Sequence, residues 1–109
     1  MQIVSGQALL SGRSVIAVFG SDAREFLQGL ITNDIHKVSP QQAVFTALLS
    51  PQGKFLYDFF IAEHEGKLLL EIERAQEAEL VKRLSMYKLR AQVEIARLRY
   101  LAPRLREAA

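Results

Sequence analysis

The strongest constraint on the fold of this chain lies in its middle, where three β-rich runs alternate with two tight turns. The runs read AVFTALLS over 43–50, KFLYDFFIA over 54–62 and KLLLEIE over 67–73. Pro51-Gln52-Gly53 separates the first two runs, and Glu65-Gly66 separates the second from the third. Proline fixes the backbone angle φ that the first corner of a turn needs, and glycine accepts the positive φ that the last residue of a turn can require. These residues are therefore predicted to form a three-strand antiparallel meander.

The flanking segments supply further strands. Residues 3–10 and 13–19 are predicted as two strands around the turn Ser11-Gly12, and the second carries the apolar residues Val15, Ile16, Val18 and Phe19. Residues 91–97 (AQVEIAR) are predicted to return as a last strand, with Val93 and Ile95 on one face.

Two helices are predicted between these strands. The first begins at Asp22 or the serine before it, and Asp22 with Glu25 three residues later has the spacing of a capping box. Apolar residues at helical spacing then run from Ala23 to Ile31, and a second helix covers 75–89. The order strands, helix, three strands, helix, strand predicts an α+β fold with a mostly antiparallel sheet.

The lack of cysteine among the 109 residues restricts the chemistry of the chain. It excludes disulfides, thiolate zinc sites, iron–sulfur ligation and a cysteine nucleophile within these residues. The two histidines, His36 and His64, are too few for a multi-histidine metal site, so no metal is expected. No apolar run reaches the ~18 residues of a membrane span. We expect one cytoplasmic domain over 1–109 that does not associate with membranes.

Charge is distributed unevenly, with nine basic and four acidic residues in 74–109. Such a basic segment can meet phosphate groups or the tail of a polyanionic ligand, or it can be a solvated helix face. Nucleic-acid binding is not expected, because no stacking aromatic platform accompanies the arginines.

Asp58 is the residue that physical chemistry alone singles out. It is the only charged residue in FLYDFFIA. Strand alternation places Tyr57 and Phe59 on one face, and Asp58 and Phe60 on the other. Both faces are largely apolar, so we expect the strand to be covered on both sides and Asp58 to be wholly or partly desolvated. A desolvated carboxylate needs donors or a cation, which makes it a candidate for ligand binding or proton transfer. The alternatives are a carboxylate on a partly open face and one that is bonded to a neighbouring loop.

Other candidate residues have an equally simple structural interpretation. Thr32-Asn33-Asp34 can end a helix or present polar groups to a ligand. Phe45 and Tyr57 can stack on a flat heterocycle or belong to the core. Lys54, next to the turn, can contact a phosphate or carboxylate or be an ordinary surface lysine. No phosphate-binding glycine loop, metal-ligand histidine pair or serine elbow is present.

Several motifs together resemble the opening half of the folate-binding YgfZ family. That family is related to the glycine cleavage T-protein, an aminomethyltransferase, and to mitochondrial iron–sulfur assembly factors. The motifs, which cover roughly residues 3–97, are Gly20-Ser21-Asp22-Ala23, Phe26-Leu27-Gln28-Gly29, Thr32-Asn33-Asp34, Pro51-Gln52-Gly53-Lys54 and the aspartate of the following strand.

The resemblance implies roles for individual residues. Asp58 matches the second aspartate of an Asp-Asp pair that faces folate in the T-proteins, while Tyr57 replaces the first. Phe45 falls near a pterin-facing tyrosine and would supply stacking surface without the hydroxyl. Glu73 replaces an asparagine. These departures favour a YgfZ-like protein that binds tetrahydrofolate without catalysing one-carbon transfer.

The same resemblance places Asn33, Asp34 and Lys54 at the rim of the site. Asp58 would hydrogen-bond the pterin or the nitrogens of the reduced folate.

The resemblance also implies that the chain represents only the N-terminal part of the family. Its Lys-Gly-Cys-Tyr-x-Gly-Gln-Glu motif has no counterpart here, and family members are considerably longer. We therefore expect this chain to bind folate weakly or not at all, and we expect a role in iron–sulfur cluster assembly or repair. Two alternatives are an aminomethyltransferase fragment and a ligand-free interaction module. A homo-oligomer or a complementing C-terminal half would cover apolar surface.

Overall fold

The computed structural model describes residues 12–98, which form an antiparallel sheet of five strands with two helices packed on one face. The strands are β1 (Arg13–Phe19), β2 (Val44–Leu49), β3 (Phe55–His64), β4 (Lys67–Glu73) and β5 (Glu94–Arg97). The helices are α1 (Ala23–Gln28) and α2 (Glu77–Lys88), and short 3-10 helices cover Ile35–Lys37 and Arg74–Gln76. The predicted α+β fold is confirmed, while the strand predicted over 3–10 lies outside the described residues.

The strands lie in the order β2-β3-β4-β1-β5, and every neighbouring pair is antiparallel. The predicted meander therefore occupies three adjacent positions, from β2 to β4. β1 lies between β4 and β5, so β4, α2 and β5 form a split β–α–β unit around it. β3 has a hydrogen-bonded strand on each side, and Phe60 pairs with Phe45 of β2 and with Glu71 of β4.

The main core lies between the sheet and the two helices. Tyr57, Phe59 and Ile61 of β3 point toward the helices, as the alternation of the strand requires. They join Leu27 of α1 and Leu80 of α2 in one buried cluster. The largest side chains with no more than 1% of their surface exposed are Ile16, Leu27, Ile35, Leu48, Phe59, Ile61, Leu69, Leu70, Ile72, Leu80 and Leu84.

The opposite face of the sheet is buried only in part. Val15 and Ala17 of β1 and Leu69 of β4 form a second, smaller cluster there, against which Phe19 and Leu98 pack. On the β2–β3 side of the same face, Ala62 is buried opposite Leu69, whereas Phe45, Ala47, Asp58 and Phe60 are half-buried or exposed. The two faces of β3 therefore lie in different environments.

The start of α1 differs from the predicted capping box. Asp22 is the N-cap residue, but its side chain caps no amide of the helix. Its Oδ2 instead accepts a hydrogen bond from the backbone amide of Gln92 at 2.8 Å, and the Asp22 amide donates to the Gln92 carbonyl at 3.1 Å. The aspartate thus ties the start of α1 to the segment before β5, and a long-range contact replaces the local one.

Candidate functional site

Half-buried and exposed side chains of β2 and β3 that point away from the helices form a surface with an aromatic pair and a carboxylate. We call it the open face and define it by Phe45, Ala47, Asp58 and Phe60. Phe45 is 52% exposed, and its ring centroid lies 5.0 Å from that of Phe60 at an interplanar angle of 60°. Asp58 is directly opposite Ala47, whose small side chain leaves space beside the carboxylate.

The environment predicted for Asp58 is wrong, because its side chain is exposed. Both helices pack on the other face of the sheet, and no described element covers β3 at this point. Asp58 forms no hydrogen bond or ion pair with the described residues 12–98. Within the described part of the chain, the carboxylate is therefore a free acceptor on an apolar surface, which corresponds to the alternative of a partly open face.

Tyr57 lies on the opposite face from Asp58 and is 4% exposed. Its hydroxyl donates a hydrogen bond to the Glu79 carboxylate on α2, and Arg83 Nε donates to the same hydroxyl at 3.3 Å. Burial raises the pKa of the tyrosine hydroxyl, and its hydrogen bond to Glu79 raises it further. Tyr57 and Asp58 are separated by the sheet, so they cannot contact one small ligand on the open face.

Thr32 and its neighbours close the free edge of β2. The Thr32 amide donates to the Ala47 carbonyl at 3.0 Å, and the Thr32 hydroxyl accepts from the Ala47 amide at 3.1 Å. The Leu49 amide donates to the Leu30 carbonyl at 3.0 Å. These contacts satisfy backbone groups of β2 that would otherwise be free to pair with another strand. The segment therefore protects this edge of the sheet.

Asn33 takes part in the same edge contacts. Its Nδ2 donates to the Phe45 carbonyl at 3.0 Å, and its backbone amide donates to the buried Thr46 hydroxyl at 3.1 Å. Gln28 supports the turn, because its Nε2 donates to the Asn33 carbonyl at 3.0 Å and its Oε1 accepts from the Ile35 amide at 2.8 Å. Asn33 thus positions the backbone of Phe45 at the border of the open face.

Asp34 and Lys54 lie at exposed positions outside the open face. Asp34 Oδ1 accepts hydrogen bonds from the His36 amide at 2.9 Å and from its ring Nδ1 at 3.0 Å. The backbone hydrogen bond from His36 lowers the pKa of the Asp34 carboxyl, and the ring contact lowers it further. Lys54 closes the β2–β3 turn through its backbone, since its carbonyl accepts from the Ser50 amide at 2.7 Å.

Of the predicted site residues, the structure brings Phe45 and Asp58 together on the open face, with Asn33 bonded to the Phe45 backbone. Tyr57 is excluded from that surface. Phe60 belongs to the open face but was not among the predicted residues. The sequence indicates this position, because Phe60 lies two residues from Asp58 and therefore shares the same side of the strand.

Arg24 is a second residue that the sequence did not reveal. Its guanidinium donates to the carbonyls of Ile35 at 3.0 Å and Val38 at 3.2 Å, and it forms an ion pair with Glu63 at 2.6 Å. It thereby joins α1, the loop before β2 and the end of β3. No local sequence pattern indicates these three partners, because they lie in distant segments.

Two classes of site are missing from the described part of the chain. Within residues 12–98, no group of three or more histidine, aspartate and glutamate side chains is placed to hold a metal ion. In the same residues, no helix has the length and apolar character needed to cross a membrane.

Comparison with known proteins gives relatives that are much longer than this chain. The iron–sulfur cluster assembly factor IBA57 homologue of Aspergillus oryzae, named as mitochondrial, is 35% identical over 84% of this chain and 24% of its own length. The human mitochondrial IBA57 is 33% identical over 79% of this chain and 28% of its own length. The chain therefore spans about a quarter of these curated relatives.

The fold is shared with a solved structure, the glycine cleavage system aminomethyltransferase T of Bartonella henselae. The TM-score is 0.72 at 21% sequence identity, over 82% of this chain and 25% of that one. The sequence family described as the GCVT N-terminal domain matches residues 10–101. The relationship that the motifs predict is thereby confirmed, and the chain belongs to the GCVT N-terminal domain family.

Proposed function

We propose that this chain is the N-terminal domain of an iron–sulfur cluster assembly factor and binds tetrahydrofolate on its open face. The observation that carries the proposal is the similarity to IBA57 proteins over about four-fifths of the chain. We place the protein in the cytoplasm, as the sequence predicts, although the relatives are named as mitochondrial.

The chemistry of the open face supports a flat heterocyclic ligand. Phe45 and Phe60 present aromatic surface, and stacking of a heterocycle on such a side chain contributes about 1–3 kcal/mol. Asp58 has no partner among residues 12–98, so its oxygens can accept the N–H groups of a reduced pterin. Hydrogen bonds to a charged acceptor contribute about 1.5–3 kcal/mol. In the proposed complex, Lys54 and the turn with Asn33 and Asp34 form the rim.

The same surface is poorly suited to catalysis by this chain alone. Group transfer benefits from a closed site that excludes water, whereas Asp58 and Phe45 are both exposed. Tyr57, which stands in place of the first aspartate of the T-protein pair, lies on the other face of the sheet. We therefore propose binding without one-carbon transfer. A C-terminal half or a second copy would cover the open face and complete the site.

Binding of tetrahydrofolate on the open face predicts a defined affinity and a defined set of perturbed amides. Because the open face buries only one side of the ligand, we expect a Kd of about 1 mM. When the chain is titrated with tetrahydrofolate, the amide chemical shifts of β2 and β3 should change around Phe45, Asp58 and Phe60. Replacing Asp58 by asparagine, or Phe45 by alanine, should weaken binding about tenfold.

Glu94→Gln is the matched control for Asp58→Asn, since Glu94 is an exposed carboxylate on the opposite edge of the sheet. It should leave the affinity unchanged. Shifts that avoid β2 and β3, or equal binding by the Asp58→Asn and wild-type chains, would contradict the assigned site.

The cellular role predicts a phenotype that is separate from folate affinity. Cells that lack the gene should have lower activity of iron–sulfur enzymes, while enzymes without clusters in the same extract keep theirs. Expression of the wild-type or Glu94→Gln protein should restore the activity, and the Asp58→Asn protein should restore less. Full iron–sulfur enzyme activity in the deletion strain would refute the assembly role even if folate binds.

A further inference from the structure

We infer that the exposed side of α2 and the turn after it bind an acidic segment of a partner protein that also carries apolar side chains. We call this surface the α2 patch and define it by Lys82, Arg83, Met86, Leu89 and Arg90. It shares no residue with the open face, and the inference is independent of folate binding.

The apolar part of the α2 patch consists of two side chains that the fold does not use. Met86 is 56% exposed, and Leu89 at the end of the helix is 84% exposed. The backbone of Leu89 has φ 44° and ψ −107°, a conformation that favours glycine at a helix end. A leucine held in this strained conformation gains almost no burial in return. Such strain at an exposed apolar residue indicates a role outside the fold of the chain.

One of the three cations of the patch, Arg83, is fixed in place. Arg83 donates hydrogen bonds to the hydroxyls of Tyr57 at 3.3 Å and Tyr87 at 3.4 Å, and these contacts raise its pKa and hold it as a cation. Lys82 is exposed beside it, and Arg90 is exposed after the helix. Glu79 is the carboxylate of this region, and it is already engaged by Tyr57 and Arg83. The surface therefore retains a net positive charge.

A cleft in the same region gives an incoming side chain a place to pack. It has a volume of about 400 Å³ and is lined by Glu79, Lys82, Arg83 and Met86. Its lining combines an apolar thioether, two cations and the Glu79 carboxylate, which is already bonded to Tyr57 and Arg83, so the cleft suits an apolar side chain next to a carboxylate that meets Lys82. An acidic amphipathic helix carries both groups at neighbouring positions.

Charge complementarity favours an acidic amphipathic helix over a second copy of this chain, a membrane surface or a nucleic acid. A second copy of the chain, docked patch to patch, would bring Lys82, Arg83 and Arg90 of one copy against the same three cations of the other. A membrane surface would find only Met86 and Leu89 to insert, next to the Glu79 carboxylate. A nucleic acid would find no exposed aromatic side chain in the patch on which to stack.

The test is a titration of this chain with a short synthetic helical peptide that carries leucine along one stripe and glutamate at its other positions. Amide chemical shifts should change in α2 and in the turn through Arg90. The same peptide with glutamine in place of glutamate should bind about tenfold more weakly, because the attraction depends on charge. Added salt should weaken binding of the acidic peptide.

Variants separate the two components of the surface. Leu89→Gly, which suits the backbone at this position, should weaken peptide binding about tenfold without unfolding the chain. Lys82→Glu combined with Arg90→Glu should abolish binding. Arg97→Glu, an exposed arginine on β5, is the matched control and should have no effect.

Four outcomes would overturn the inference. The first is a set of chemical-shift changes that lies outside the α2 patch, and the second is equal affinity for the glutamate and glutamine peptides. The third is a change in the shifts of the same amides with protein concentration alone, which would indicate a second copy. The fourth is binding of phosphatidylserine vesicles that is lost in the same variants, which would indicate a lipid surface.

Discussion

Replacing Phe59 by alanine should lower the free energy of unfolding by about 3–5 kcal/mol, whereas the same change at Phe60 should cost about 1 kcal/mol. The two phenylalanines are neighbours on β3, yet Phe59 is fully buried against the helices and Phe60 is half-buried on the open face. Removing the Phe59 ring leaves a cavity in the core. Urea unfolding followed by far-ultraviolet circular dichroism measures both free energies.

Phe60→Ala is also the internal control of this experiment, because it removes the same atoms from the same strand. A loss at Phe60 as large as that at Phe59 would mean that the second face is covered as tightly as the first. The interpretation of the open face as a ligand surface would then fail. A small loss at Phe60 together with weaker tetrahydrofolate binding is the expected combination.

The strands of this chain could be predicted from the sequence because their signals are local. The runs over β2, β3 and β4 are bounded by Pro51-Gln52-Gly53 and Glu65-Gly66, and turn chemistry acts over only a few residues. Alternation also assigned Tyr57 and Asp58 correctly to opposite faces. Such patterns depend on the backbone of one segment and on nothing more distant.

The burial of Asp58 could not be predicted in the same way. Alternation shows which residues share a face, but the position of α1 and α2 decides which face is covered. Both faces of FLYDFFIA carry large apolar side chains, so composition alone suggested cover on both sides. The helices pack against Tyr57 and Phe59 and leave Asp58 exposed. The chemistry available to the carboxylate changes accordingly, from a desolvated acid to an open acceptor.

Asp22 shows the same limitation for a hydrogen bond. Its spacing to Glu25 is that of a capping box, but the side chain bonds to Gln92, which is 70 residues away in sequence. Local spacing identifies a possible contact, whereas tertiary structure decides between competing contacts. The Thr32-Asn33-Asp34 motif was open to both interpretations, and its contacts with β2 give it a structural role at the sheet edge.

Replacing Gly20 by alanine should be among the most damaging single changes in this chain, with a loss of about 3 kcal/mol or more in the free energy of unfolding. Gly20 has φ 118°, and a Cβ atom there would lie 2.3 Å from the Gln92 carbonyl oxygen and 3.2 Å from the Val93 Cα. Both neighbours are backbone atoms, so relief requires α1 and the segment before β5 to separate. That movement breaks the two hydrogen bonds between Asp22 and Gln92.

Gly53→Ala separates the cost of the clash from the cost of the backbone conformation. Gly53 also has a positive φ, 87°, but a Cβ atom there meets nothing within 4 Å. Its replacement should therefore cost only the conformational strain, about 1–2 kcal/mol. Equal losses in the two variants would show that close packing against Gln92 is not what requires glycine at position 20. A larger loss at Gly20 would mean that close packing of Gly20 against Gln92 and Val93 holds the start of α1 against the approach to β5.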